Sequence, residues 1–247
     1  MQKSTRVFIR KSIVLLAAVL VIAFIGAVSY LIADIIIDNV AGVHTAEQFG
    51  IETIKASVDF NGNGVDDYTD MVNGARRYVE TSPTYNGDYV AGGYPPTGQG
   101  VCTDVIWVAF MEAGYCLKDM VDEDIAGNTE LYTRVNGAPD PNIDFRRVSN
   151  LNVYFSRFAQ ELTLDTDDIA QWQPGDIVVY ENLHIALVSD KRNYKGEPYI
   201  IHNGGRFTCG EQDRLKSHKI IGHYTFDASL IAEDALVEWN KAVEVWK

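Results

Sequence analysis

The sequence predicts an α+β fold, a group of helices followed by an antiparallel sheet, with one transmembrane helix ahead of it. Helix-like apolar patterns fill the 247-residue chain from 44 to 158, and four short β-branched runs crowd into 177–226. Helices first and strands afterwards, with short or Gly-containing loops between the strands, is the order of an α+β domain and not of alternating βαβ units. An uncharged N-terminal run supplies the membrane helix.

Taken in order, residues 44–57 predict a short helix, with Phe49, Ile51, Ile54 and Val58 as an irregular apolar stripe. A loop rich in Asp, Asn and Gly follows at 59–70, and a second helix runs from Asp70 to Val79. Pro, Gly, Ser and Tyr make 80–100 an ordered loop. Val101 to Tyr115 is strongly apolar and helical with a stop at Gly114, and 117–126 is amphipathic. Asn150 is placed to cap the next helix, whose apolar surface is Leu151, Val153, Phe155 and Phe158. Pro174-Gly175-Asp176 is a turn, and the runs starting at Ile177, His184, Pro198 and Ile220 predict an antiparallel meander. An amphipathic helix over 229–246 is expected to close the chain.

Lys3, Arg6, Arg10 and Lys11 precede a segment, 12–33, that holds no charge, and Asp34 and Asp38 follow it. At ~1.5 Å per helical residue the segment is long enough for a ~30 Å hydrocarbon layer, and basic residues stay on the cytoplasmic side. The expected layout is a cytoplasmic tail (1–11), a transmembrane anchor (12–37), a helix-loop-helix (38–80) and a catalytic domain (81–247), with everything after the anchor outside the cytoplasmic membrane. A cleaved signal peptide, cut near Ala27-Val28-Ser29, is the alternative. The net charge of −13 excludes nucleic acid as a natural partner, because phosphate repels an acidic surface. Three cysteines leave at least one thiol unpaired within the chain, with Cys116–Cys209 as one conceivable disulfide.

Gly100-Val101-Cys102-Thr103-Asp104 places a thiol in the first turn of a helix, where free N–H groups and the helix dipole favour a thiolate and can hold an oxyanion. Such a nucleophile needs an imidazole and a group that orients it. His184 opens one predicted strand and His202 closes its neighbour, so their rings can meet at one end of an antiparallel pair. Asn203 is the substitute for the orienting member. Taken alone, a cysteine on an apolar helix is more often a small buried hydrophobe, and a strand-end histidine an ordinary surface residue.

Six segments in order resemble an uncharacterised family, numbered 1287 among the domains of unknown function, of the NlpC-type papain-like superfamily. They are Gly100 to Val105, Pro139 to Val148, Gln173 to Val178, His184 to Asp190, Ile201-His202-Asn203 and Gly222-His223-Tyr224. The resemblance implies a papain-like fold with a helix-borne nucleophile on an antiparallel sheet, Cys102 as nucleophile, His184 as base and His202 as the orienting residue, with no cofactor for catalysis. It implies hydrolysis of amide bonds in cell-wall peptides. Phe145 stands where the resemblance leads us to expect histidine. Arg146 and Arg147 could grip a peptide carboxylate or hold their loop through salt bridges with Asp140 and Asp144. Tyr94, Thr103 and Asp104 are further candidates for substrate or oxyanion contact. Acyl transfer by the same residues, or a non-catalytic wall-binding module, are the competing functions.

Finally, Asp59 to Asp70 follows the twelve-position calcium-loop pattern. Asp59, Asn61 and Asn63 stand at positions 1, 3 and 5, Gly64 at 6, Val65 offers a backbone carbonyl at 7, Asp67 stands at 9 and Asp70 at 12. The ion expected there is structural Ca2+.

Overall fold

The computed structural model describes residues 16–17, 19–29 and 42–243. Two compact units divide the chain, 1–43 and 44–247. In the first, 16–17 and 19–29 are helical. The anchor expected at 12–37 lies largely outside the described residues, and among those described no helix is long and apolar enough to cross a membrane.

The second unit is α+β. Among its described residues the α-helices are α1 (Asp67–Glu80), α2 (Cys102–Glu112), α3 (Leu117–Gly127) and α4 (Val148–Phe158). Two-residue strands β1 (Thr84–Tyr85) and β2 (Gln99–Gly100) pair in parallel just before α2. The main sheet holds β3 (Gln160–Glu161), β4 (Ile177–Tyr180), β5 (His184–Arg192), β6 (Pro198–Asn203), β7 (Cys209–Gln212) and β8 (Ile220–Thr225), in the order β3-β8-β4-β5-β6-β7. All its neighbours run antiparallel.

α2 is the centre of the domain. Every residue from Cys102 to Phe110 is buried, as expected of a helix with no polar face. Gly114 ends it at φ 96°, and a Cβ there would stand 2.8 Å from the Cβ of Asn61. Below α1 and α2 the odd-numbered residues Ile177, Val179, Ile185, Leu187 and Ile201 fill the main core. The even-numbered Val178, Tyr180, Ala186, Val188 and Ile200 fill a smaller one with Trp172 and Leu215 on the other face. Cover on both faces explains why these strands read as unbroken apolar runs.

Several expectations are corrected. Residues 44–57 carry only a 3-10 turn, Ala46–Phe49, where a short helix is expected, and the stretch from His44 onwards belongs to the same unit as the sheet; residues 38–41 of the expected helix-loop-helix (38–80) lie outside the described ones. α4 begins at Val148, before Asn150, whose side chain donates to the Asp144 carbonyl at 3.1 Å instead of capping the helix. Only β4 to β7 form a meander; β8 returns to the far edge of β4, pairing Tyr224 with Ile177. Residues 228–243 hold two 3-10 turns and extended chain instead of a helix. Tertiary pairing overrides the helical period there. Val237 accepts from Cys116 N–H at 2.8 Å, Trp239 donates to the Gly114 carbonyl at 2.7 Å, and the Trp239 ring stacks on Trp107. The remaining residues of that predicted helix, 244–246, lie outside the described ones. All three cysteines are free, so Cys116 and Cys209 are not bridged.

Candidate active site

The nucleophile helix is held at its N-terminus by one buried carboxylate. Asp104 accepts from Val101 N–H at 2.6 Å, from Trp107 Nε1 at 2.8 Å, and from Nε and Nη2 of Arg146 at 2.8 Å each. The two side chains are 0% and 2% exposed. Thr103 adds a bond from its hydroxyl to the Arg146 carbonyl at 3.0 Å. Thr103, Asp104 and Arg146 are therefore structural partners that fix where Cys102 sits. Arg147 bonds Asp144 at 2.8 Å and the Arg134 carbonyl at 3.2 Å. The loop is thus held by salt bridges, but Arg146 pairs with Asp104 on the helix and not with Asp140, which accepts from Asn142 and Tyr89.

The Cys102 sulfur lies against the backbone N–H of Ile185, the residue after His184, with the N–H groups of Thr103 and Cys102 also directed at it. Burial nevertheless dominates, and the thiol is pushed up to about 11. His184 and His202 meet as the strand pairing required, Nε2 of His184 lying 2.8 Å from Nδ1 of His202. His202 Nε2 in turn lies 3.1 Å from Oε1 of Gln212 on β7. Burial and then His202 and His218 push His184 down to about 4. Burial also lowers His202, and the Gln212 bond partly opposes it.

Register defines how the two halves approach. His184 pairs with Tyr180, and their rings stack with centroids 5.9 Å apart, so the imidazoles stand on the side of the smaller core. Cys102 comes from the α2 side, the other face of the sheet, where its sulfur meets the Ile185 N–H at the start of β5, and the cleft it opens into is lined by neither imidazole. Among the described residues no hydrogen bond joins the thiol to either imidazole.

Asn203 does not pair with His184. Its amide donates to the Gly100 carbonyl at 3.3 Å and accepts from Gly205 N–H at 3.1 Å, tying the end of β6 to the turn before Cys102. Tyr94 lies elsewhere, its hydroxyl 3.8 Å from the Cys116 sulfur and its ring packed on Trp107, Phe145 and Trp239. Phe145 is fully buried, and its ring edge is 2.7 Å from where a Cβ on Gly93 would stand. A histidine there would sit in the core.

Cys102 opens into a cleft of about 650 Å3 whose lining includes Tyr85, Arg134, Arg146, Arg147 and Leu183 and no acid. Sequence reasoning missed Tyr85, Arg134, Leu183 and Gln212. Leu183 had a readable signal, an apolar residue directly before the candidate base; it is 68% exposed and holds φ 60°. Gln212 had none, because Cys-Gly-Glu-Gln carries no strand pattern.

In the Asp59–Asp70 loop, Asp59 accepts from the N–H groups of Asn63 and Gly64 at 3.1 and 2.8 Å. The amides of Asn61 and Asn63 donate to Asp70 Oδ2 at 2.9 and 2.8 Å, and Val65 N–H donates to Asn63 Oδ1 at 2.8 Å. Asp67 is drawn away, accepting from Phe60 N–H and from the Tyr115 hydroxyl. Among the described residues no group of three or more His, Cys, Asp or Glu side chains is arranged to hold a metal ion. The loop brings together two acids and two amides.

A helix-borne cysteine against the start of β5, with a histidine pair at the same end of the antiparallel sheet but on its other face, defines an α+β protein with a candidate thiol site. The chain belongs to the family described as Domain of unknown function (DUF1287), which it matches over residues 72–226. It is 35% identical over 166 residues to Uncharacterized protein YijF of Escherichia coli (strain K12), a match covering 63% of this chain and 80% of that one. No solved structure matches it.

Proposed function

We propose that the protein is a papain-like, NlpC-type cysteine amidase or peptidase, held at the cytoplasmic membrane by its N-terminal segment and acting outside it on cell-wall peptides. The observation that carries this reading is that the Cys102 sulfur meets the N–H of Ile185, the residue directly after His184, whose ring is paired with His202. Cys102 attacks the amide carbonyl carbon, forming a C–S bond as its proton passes to Nδ1 of His184. The N–H groups around the sulfur hold the oxyanion. Collapse breaks the C–N bond, and His184 returns its proton to the leaving amine. Water, deprotonated by His184, then hydrolyses the thioester. In the resting state the thiol faces Ile185 N–H, so substrate binding must bring His184 Nδ1 within reach, a tightening common between apo and bound sites.

The arginine-lined, acid-free cleft favours an anionic substrate. Arg146 is engaged by Asp104 and Arg147 Nη1 by Asp144, which leaves Arg134 and the remaining N–H groups of Arg147 to meet the carboxylates of a stem peptide. Calcium is proposed as a structural ion of the Asp59–Asp70 loop. An ion there would replace the amide N–H groups that now face Asp70, and requires the Asn61 and Asn63 amides to turn.

The test of the enzyme reading is incubation of the purified protein with peptidoglycan and mass analysis of what is released. Amide-cleaved fragments from wild type and none from Cys102→Ala support it. Unchanged release by Cys102→Ala, or no cleavage by either protein, refutes it, and an acyl group moved to an added amine replaces hydrolysis with transfer.

A further inference from the structure

The relay of side chains behind the candidate base does not stop at the expected third member. His202 Nε2 faces an amide oxygen, Oε1 of Gln212, at 3.1 Å, and an amide oxygen can only accept. The proton of neutral His202 is therefore on Nε2, and its Nδ1 carries a lone pair. That lone pair lies 2.8 Å from Nε2 of His184, so His184 must donate from Nε2. With the Gln212 amide oriented oxygen-first, the far end of the relay selects which nitrogen of the near ring is basic. Register supports the arrangement: Gln212 pairs with Ile200, a residue of the smaller core, and so shares the sheet face of Tyr180 and the two imidazoles.

The charges that reach this pair are those of His218 and Arg214, and both are basic. Tyr180 adds a stacked ring, and the relay itself ends in an uncharged amide. Among the described residues no carboxylate offsets a positive charge on either imidazole; the Gln212 amide oxygen favours it only in part, unlike a relay that ends in a carboxylate. Burial, which disfavours charge on both sides, pushes the Cys102 thiol up and His184 down, in agreement with that surround.

We propose that Gln212 is a positioning residue of this site. Its amide oxygen holds His202 and His184 in the Nε2–H tautomer, which leaves the Nδ1 lone pair of His184 as the acceptor for the Cys102 proton and keeps the resting site uncharged. The assignment to catalysis rests on the function proposed above; the tautomer assignment does not.

The test is long-range 15N–1H correlation of the histidine rings in the full-length protein in detergent, from pH 5 to 8, for wild type, Gln212→Leu and Gln212→Glu. Wild type should show His184 and His202 both protonated on Nε2 and bare on Nδ1 at pH 8, where both rings are neutral. Gln212→Leu should give mixed tautomers. Gln212→Glu keeps an acceptor and adds a negative charge, so it should retain the Nε2–H form and raise the titration of His202 by at least one pH unit. A wild-type His202 protonated on Nδ1, or a Gln212→Leu protein that is folded with unchanged tautomers, overturns the proposal. If Gln212→Leu fails to fold, Gln212→Glu decides: a His202 titration within 0.2 unit of wild type refutes it. Because the readout needs no turnover, fixed tautomers without cleavage of peptidoglycan would sink the enzyme reading and leave this one standing.

Discussion

Asp104→Ala should be among the most damaging substitutions in the domain, although Asp104 is not itself proposed to react. Its carboxylate meets four donors and is fully buried, and its partner Arg146 is 2% exposed. Removing it leaves a guanidinium uncompensated in the interior, which costs about 3–5 kcal/mol. The unpaired Val101 N–H and Trp107 Nε1 add ~1–2 kcal/mol if water does not reach them. A loss of ~4–7 kcal/mol is a large share of the ~5–15 kcal/mol typical of a domain, and at ~2–4 °C per kcal/mol it lowers Tm by ~8–28 °C. Urea and thermal unfolding of the soluble domain measure it directly. Asp104→Leu combined with Arg146→Met should recover at least half of the loss, since an apolar pair replaces a buried ion pair at little cost. A single variant that loses under ~1 kcal/mol, or a double variant no better than the single, would refute the claim that this pair anchors the nucleophile helix.

Iodoacetamide should modify Cys102 slowly at pH 7, because burial holds the thiol protonated, and the rate should climb steeply above pH 9; rapid alkylation at neutral pH, read by mass spectrometry, argues against an uncharged resting site. His184 falls from 6.5 to about 4 on folding, so the native state binds fewer protons than the unfolded chain between those values, and stability is lost as pH falls through that window. The full shift is worth ~3 kcal/mol, reduced to about 1–2 kcal/mol by the partial exposure of the ring. His184→Asn should therefore lose less stability than wild type between pH 6.5 and 4, and parallel melting curves would contradict this. Asp122, pushed up to about 6 mainly by burial, acts in the opposite sense in both proteins and cancels in the comparison. Millimolar calcium should raise Tm in a manner reversed by EGTA and abolished by Asp70→Ala, by about 2.7 kcal/mol at a hundredfold excess over Kd; no shift removes the ion from the account.

Much of this arrangement was legible in the sequence, and the parts that were not share a cause. α2 could be read because nine consecutive buried residues leave no polar face and Gly114 marks its end. β4, β5 and β6 could be read because both faces are covered, which writes continuous β-branched runs. The meeting of His184 and His202 followed from strand ends and antiparallel pairing alone. The C-terminal stretch misled because its helical period is genuine, yet its backbone partners are Gly114 and Cys116, more than a hundred residues away. Gln212 and Arg134 were silent for a similar reason. Each acquires its place from tertiary neighbours, and neither lies in a segment whose local pattern announces one. Asn203 was misassigned between two candidates one residue apart, where the two-residue period of a strand sends the side chains to opposite faces.

The order of the site's parts along the chain bears on synthesis. Cys102 is made more than eighty residues before His184, Gln212 later still, and the strap that lays Trp239 on Trp107 later again. A ribosome-bound or truncated chain thus carries the thiol without His184, its proposed proton acceptor, and the helix bearing it without its clamp. Under the proposed chemistry, acyl transfer waits until the segments through Gln212 and Trp239 have been made, a safeguard that arises from connectivity alone.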